Sequence, residues 1–323
     1  MTRLLSGCFG LMLAGFSLVV TAQQAQFPPL RVHVGLVNVF VNVTDAQGAP
    51  VAGLRQQDFS IYEDGRPEKI AVFEQRAEQP LSMVVAIDTS GSVRKDLAVE
   101  KRAAREFIHA MLRPIDRVEI VDFNTSVHEA VPFTSNLKQI DRGLSHLSKG
   151  PATALYEAIA FSAEQLAPMH GRKVLVLISD GGNTVAGTSY QQALEQAVRA
   201  QAMIFSIIDL PVINDAGRDI GGEHAMIALS QATGGQYFYE EDGDLNSAFE
   251  RLSEQLRAEY LLGYYPKHLA LRRRSYHTIT VRFTGPKASR FHLSYRTGYY
   301  TGQNPAEERY GPEDGGPNAV DIP

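Results

Sequence analysis

Met83-Val84-Val85-Ala86-Ile87-Asp88-Thr89-Ser90-Gly91-Ser92 decides the fold. Its first five side chains are apolar without interruption, the pattern of a strand covered on both faces by helices. The run stops at Asp88, and two hydroxyls follow at a spacing of two, with Gly91 between them. Loops at the carboxyl ends of such strands are where open α/β sheets bind ligands.

Moving outward, the same grammar repeats from Leu81 to about Arg257. Val174 to Ile178 and Met203 to Ile208 are two further apolar runs, and Val118 to Phe123 leads through Asn124-Thr125-Ser126 into Val127 to Phe133 as a hairpin. Amphipathic spacing predicts helices near 95–112, 137–147, 153–167, 189–201, 223–232 and 244–258, with Tyr237 to Tyr239 as an edge strand. Strand and helix units in this succession specify an α/β, doubly wound, mainly parallel sheet over residues 80–258.

Both flanks are β-rich. Val37, Val39, Val41 and Val43 alternate with Asn38, Phe40 and Asn42, Phe59 to Tyr62 runs into the turn Glu63-Asp64-Gly65, and Ile70 to Phe73 adds a short strand. Residues 23–79 are too few for a comfortable core alone. Beyond the helix ending at 258, strands at Tyr260 to Tyr264, Tyr276 to Phe283 and Phe291 to Tyr295 occupy the segment 259–301. We expect these to complete the sandwich begun by the N-terminal segment, with the α/β domain inserted between them. The tail, 302–323, is rich in Pro, Gly and acidic residues and reads as disordered.

The 323 residues are 44% hydrophobic, enough for two folded units, and the net charge of −5 gives no basic field for a nucleic-acid backbone. Arg3, an apolar stretch from Leu4 to Val20 and small residues ending at Ala22 predict a cleaved secretory signal over 1–22; a retained anchor is the alternative. Cleavage removes Cys8, the one cysteine, and with it disulfides, thiolate catalysis and Cys-based zinc sites. A mature chain outside the cytoplasm, without a membrane span, follows.

Asp88, Ser90 and Ser92 together offer three hard oxygen donors suited to Mg²⁺, Mn²⁺ or Ca²⁺. Taken singly, the serines could cap a helix. Gly150-Pro151-Ala152-Thr153 brings a hydroxyl to the start of a helix, and Ile178-Ser179-Asp180-Gly181-Gly182 ends an apolar strand in a carboxylate. Each has its own plain reading, a cap or a turn, but a shared site accounts for all of them at once.

The order Asp-x-Ser-x-Ser, then Thr, then Asp, resembles the metal-ion-dependent adhesion site of von Willebrand factor A domains, and the resemblance covers about residues 80–258. It implies that Ser90, Ser92 and Thr153 coordinate a divalent cation, Mg²⁺ first, with Asp88 and Asp180 as its carboxylates. It also implies an open position that accepts an Asp or Glu carboxylate from a protein partner. The flanking Val43-Thr44-Asp45, Asp58-Phe59, Glu63-Asp64-Gly65, Tyr260 to Pro266 and Gly298-Tyr299-Tyr300 resemble a bacterial subgroup first noted as Acidobacterial-type relatives of this domain.

Catalysis finds little support. Val85 to Thr89 resembles the start of an aspartic-protease motif, but Ser90 stands where Gly is needed and no second copy exists. Gly-x-Ser-x-Gly, His-Glu-x-x-His and phosphate-loop patterns are absent. The histidines, His128, His224, His277 and His292 among them, lack ligand spacing and read as packing or surface residues. Leu271-Arg272-Arg273-Arg274 reads as a solvated basic turn, with an anionic contact patch as the alternative, and Asp209, Asn214, Asp215 and Asp219 as a solvated turn at the site's end of the sheet, with a specificity loop near the ion as the alternative. The expectation is a secreted or periplasmic, non-enzymatic binding protein; the alternative is an envelope structural or assembly factor whose β-sandwich makes the main contact.

Overall fold

The structure, a computed structural model, describes residues 35–75, 78–91, 97–147, 149–209, 219–240, 245–267, 276–284 and 290–301. The expected signal over 1–22, Cys8, Ser92, Asn214, Asp215, the Arg272–Arg274 run and the tail 302–323 lie outside them. Four strands come first: β1 (Val37–Thr44), β2 (Phe59–Glu63), β3 (Arg66–Glu68) and β4 (Ile70–Gln75). Strand and helix then alternate through β5 (Leu81–Asp88), α1 (Leu97–Met111), β6 (Arg117–Phe123), β7 (Val127–Thr134), α2 (Leu137–His146), α3 (Leu155–Leu166) and β8 (Arg172–Ser179). The α/β part ends with α4 (Tyr190–Ala200), β9 (Met203–Ile208), α5 (Ile220–Thr233), β10 (Tyr237–Tyr239) and α6 (Leu245–Ala258). Four more strands follow, β11 (Tyr260–Tyr264), β12 (Tyr276–Phe283), β13 (His292–Tyr295) and β14 (Gly298–Tyr300).

The central sheet has the order β10-β9-β8-β5-β6-β7 and is parallel except for β7, which returns from β6 as a hairpin. Every residue of β5 is buried, as its unbroken apolar sequence requires. Alternation sends Leu81, Met83, Val85 and Ile87 to a core beneath α1, α2 and α6, and Val84 and Ala86 to a second core beneath α3, α4 and α5. Helices therefore cover both faces, and the sequence-based α/β reading holds.

Successive strands after β5 go first to one side, β6 and β7, and then to the other, β8 to β10. The reversal opens a crevice between β5 and β8 at their carboxyl ends, the topological switch point of the sheet. Asp88 closes β5 and Asp180 follows β8 directly there.

The flanks make two four-stranded sheets, β13-β1-β11-β4 and β14-β12-β2-β3. Each sheet mixes strands from both ends of the chain: β1 pairs antiparallel with β11 and β13, and β2 with β12. Their common core holds Val37, Val39, Val41 and Val43 of β1 with Phe59, Ile61, Tyr260, Leu262, Tyr264, Ile279 and Val281. Neither segment has enough apolar surface to stabilise itself, and each supplies the other's missing face. The short edges β3, which carries Pro67, and β14 were not legible as strands in the sequence; Pro is tolerated at an edge, where one side of the ladder is unpaired.

Among the described residues no helix is long and apolar enough to cross a membrane.

Candidate metal centre

Asp88 is 1% exposed, and its two oxygens are divided between the neighbouring loops. Oδ1 accepts from the Ser90 amide at 2.9 Å and Oδ2 from the Ser179 hydroxyl at 2.6 Å; the Ser90 hydroxyl bonds the same carboxylate. Ser179 in turn accepts from the Gly181 amide at 3.1 Å, which fixes the start of the loop carrying Asp180. Asp180 is half-buried and binds the Gly182 amide through Oδ1 at 3.0 Å, so the plain turn interaction exists beside any other role.

Thr153 arrives on a third loop. The Gly150 amide donates to the Thr89 carbonyl at 3.0 Å, and Ser90 and Gly150 form a parallel bridge. Asn124, at the end of β6, donates to the Thr89 hydroxyl at 3.1 Å and packs so closely against Gly150 that a Cβ there would lie 2.6 Å from its Oδ1. Thr184, four residues past Asp180, donates its amide to the Thr153 carbonyl and its hydroxyl accepts from the Thr153 amide at 2.8 Å. Thr153 is buried and precedes α3, whose N-cap is Ala154 with no side-chain cap bond; the helix-cap reading of Thr153 thus fails.

The structure therefore brings the Asp88–Ser90 loop, the Thr153 loop and the Asp180 loop together, while Ser92 lies outside the described residues. Ser179, Thr89, Asn124 and Thr184 hold the loops and were missed by sequence reasoning. Of these only Ser179, wedged between an apolar strand and Asp180, carried any local signal.

Burial pushes the Asp88 carboxyl up to about 6, and the charge of Asp180 adds to the rise. Neither carboxylate forms an ion pair among the described residues. Two carboxylates and two hydroxyls on loops that the structure brings together are a hard-oxygen donor set carrying excess negative charge, and they fit a divalent cation.

Of the acidic residues expected in a solvated turn, Asp209 departs from that reading by being buried, whereas Asp219 is exposed as expected. Asp209 is buried, its amide donating to the Ser179 carbonyl at 3.0 Å, and Asp219 caps α5 by accepting from the Gly222 amide at 2.9 Å. The first turn of α5 packs directly on the Asp180 loop: a Cβ on Gly181, whose φ is +95°, would lie 2.6 Å from the Gly222 carbonyl carbon.

An open α/β sheet with an oxygen-rich crevice at its switch point defines the class. Within it, residues 83–183 match the von Willebrand factor type A domain family. No curated protein matches the chain. Similar solved structures include the BatB protein from Bacteroides thetaiotaomicron, 19% identical, covering 55% of this chain and 97% of that one with a TM-score of 0.45. The von Willebrand factor domain of the type V pili tip protein Mfa5 from Porphyromonas gingivalis is 13% identical, covering 55% and 94%, with a TM-score of 0.44. Proximal thread matrix protein 1 from the mussel byssus, in a form with a zinc-occupied metal-ion-dependent adhesion motif, is 12% identical, covering 60% and 49%, with a TM-score of 0.48.

Proposed function

We propose that the chain is a protein-binding, non-enzymatic module working outside the cytoplasm, whose β5–β8 crevice holds a divalent cation and captures an acidic side chain of a partner. Asp88, Ser90, Thr153 and Asp180 would hold the ion, together with Ser92, and Mg²⁺ is the natural occupant, with Mn²⁺ and Ca²⁺ as alternatives. The bound ion would supply a positive centre with room in its shell for an outside carboxylate. The observation that carries the reading is the convergence of the three loops on Asp88, at the end of a sheet region that matches the von Willebrand factor type A family.

This chain's residues do the positioning. Ser179 and the Ser90 amide orient the Asp88 carboxylate, and Thr184 fixes the Thr153 backbone. Partner capture from envelope extract by the full chain, with and without chelator, tests the reading. Capture lost in chelator, restored by Mg²⁺ and absent from Asp88→Ala is the expected result. Capture that survives both treatments would overturn it and point to the sandwich as the contact surface.

A further inference from the structure

The sandwich contains a second cluster of ligating side chains, unrelated to the crevice. His277, near the start of the chain's last long strand, turns Nδ1 toward two carboxylates of the β2–β3 turn: Asp64 Oδ2 at 2.8 Å and Glu63 Oε1 at 3.7 Å. The three candidate ligand atoms lie within 4.8 Å of one another. Tetrahedral coordination at about 2.0 Å separates neighbouring ligand atoms by roughly 3.3 Å, midway between the two observed spacings.

The second oxygen of each carboxylate is already tied. Glu63 Oε2 accepts from the hydroxyls of Tyr264 at 2.6 Å and Tyr299 at 3.0 Å. Asp64 Oδ1 accepts from the Thr278 amide at 2.9 Å and the Thr278 hydroxyl at 3.2 Å. Outer donors of this kind orient the inner ligands of metal sites. Glu63 and His277 are buried, whereas the Asp64 side chain is 47% exposed, which gives an ion a way in and leaves a position for water. Asp64 also adopts φ +48°, a left-handed conformation uncommon for a residue other than Gly and tolerated best by Asp and Asn.

We propose that Glu63, Asp64 and His277 bind one zinc-like divalent transition metal ion, which staples the β2–β3 turn to β12. An imidazole nitrogen beside two carboxylates selects this class of ion over Mg²⁺. The metal takes the place of the direct hydrogen bond between His277 Nδ1 and Asp64 Oδ2. The staple joins residues more than 200 positions apart, from opposite ends of the chain.

Calorimetric titration of Zn²⁺ into chelator-treated, tag-free full-length protein tests the site, using Asp88→Ala so that the crevice does not contribute. One equivalent should bind and raise the thermal midpoint, and Co²⁺ in its place should show the strong visible absorption of low-coordinate cobalt. His277→Gln and Asp64→Asn, each added to Asp88→Ala, should weaken zinc binding by about 100-fold or more. If His277→Gln does not fold, the half-exposed Asp64→Asn decides the matter. Absence of zinc binding to Asp88→Ala, or undiminished binding by Asp64→Asn, would overturn the proposal and leave the cluster as a hydrogen-bonded contact of His277 with the carboxylates.

Discussion

Arg172, the first residue of β8, donates from Nε to Oε2 of Glu259 at 2.8 Å, and both side chains are buried. Glu259 lies between α6 and β11, and its other oxygen accepts from Asn42 of β1 at 3.2 Å. One carboxylate thus joins the α/β sheet to the sandwich. Arg172 spends a further donor on the Leu256 carbonyl at the end of α6.

Removing either partner leaves an uncompensated buried charge, which costs about 3–5 kcal/mol. Arg172→Met and Glu259→Leu should each lose stability of that order in urea denaturation, while the double variant recovers a large part. Equal, additive losses in the double variant would show that the two residues act independently.

Glu119 offers a pH test. It sits fully buried in β6, its oxygens accept no hydrogen bond among the described residues, and burial, aided by the charge of Glu129, raises its carboxyl to about 8. The folded protein therefore keeps a proton that the unfolded chain releases near 4.5. Stability should fall as pH rises from about 5 to 8, by at most about 4 kcal/mol from this group. Glu119→Gln should flatten that slope and exceed the wild type in stability at pH 8; an unchanged slope would assign the pH dependence elsewhere.

The charge of Asp180 acts on the buried Asp88, so the charge that suits a cation works against the fold without one. Asp88→Asn removes this repulsion and keeps an acceptor for the Ser90 amide. We expect its thermal midpoint in chelator to equal or exceed that of the wild type, while the Mg²⁺-dependent rise disappears. A large loss of stability in chelator would mean that the carboxylate is structural.

Gly181 is a tight steric constraint beside the crevice. With φ +95° and the α5 backbone 2.6 Å from where a methyl group would stand, Gly181→Ala should cost more than about 1 kcal/mol and displace the Asp180 loop. Mg²⁺ affinity by calorimetry should drop with it. Unaltered affinity would separate the packing of α5 from the site.

These tests divide along what the sequence could express. β5, β8 and β9 were legible because burial on both faces writes an unbroken apolar run, and Asp88, Ser90, Thr153 and Asp180 because oxygen donors end such runs or open the next helix. Ser179 carried only its place between an apolar strand and Asp180, and its bond to Asp88, which spans 91 positions, was not legible. His277 likewise has no ligand spacing in the chain, because its partner Asp64 is 213 residues away and meets it only through the β2–β12 pairing. β3 and β14 are three residues each, too short for a period, and exist because a longer strand lies beside them.

The interleaving of β1 with β11 and β13, and of β2 with β12, has a mechanical consequence. Tension applied between Val37 and Tyr300 is borne by these ladders, since both anchor points lie in the sandwich. The α/β part is joined to that frame through Arg172, Glu259 and Asn42. A partner gripping the crevice would instead pull on the frame through the junction at Glu259, so the two directions of load would meet different resistance.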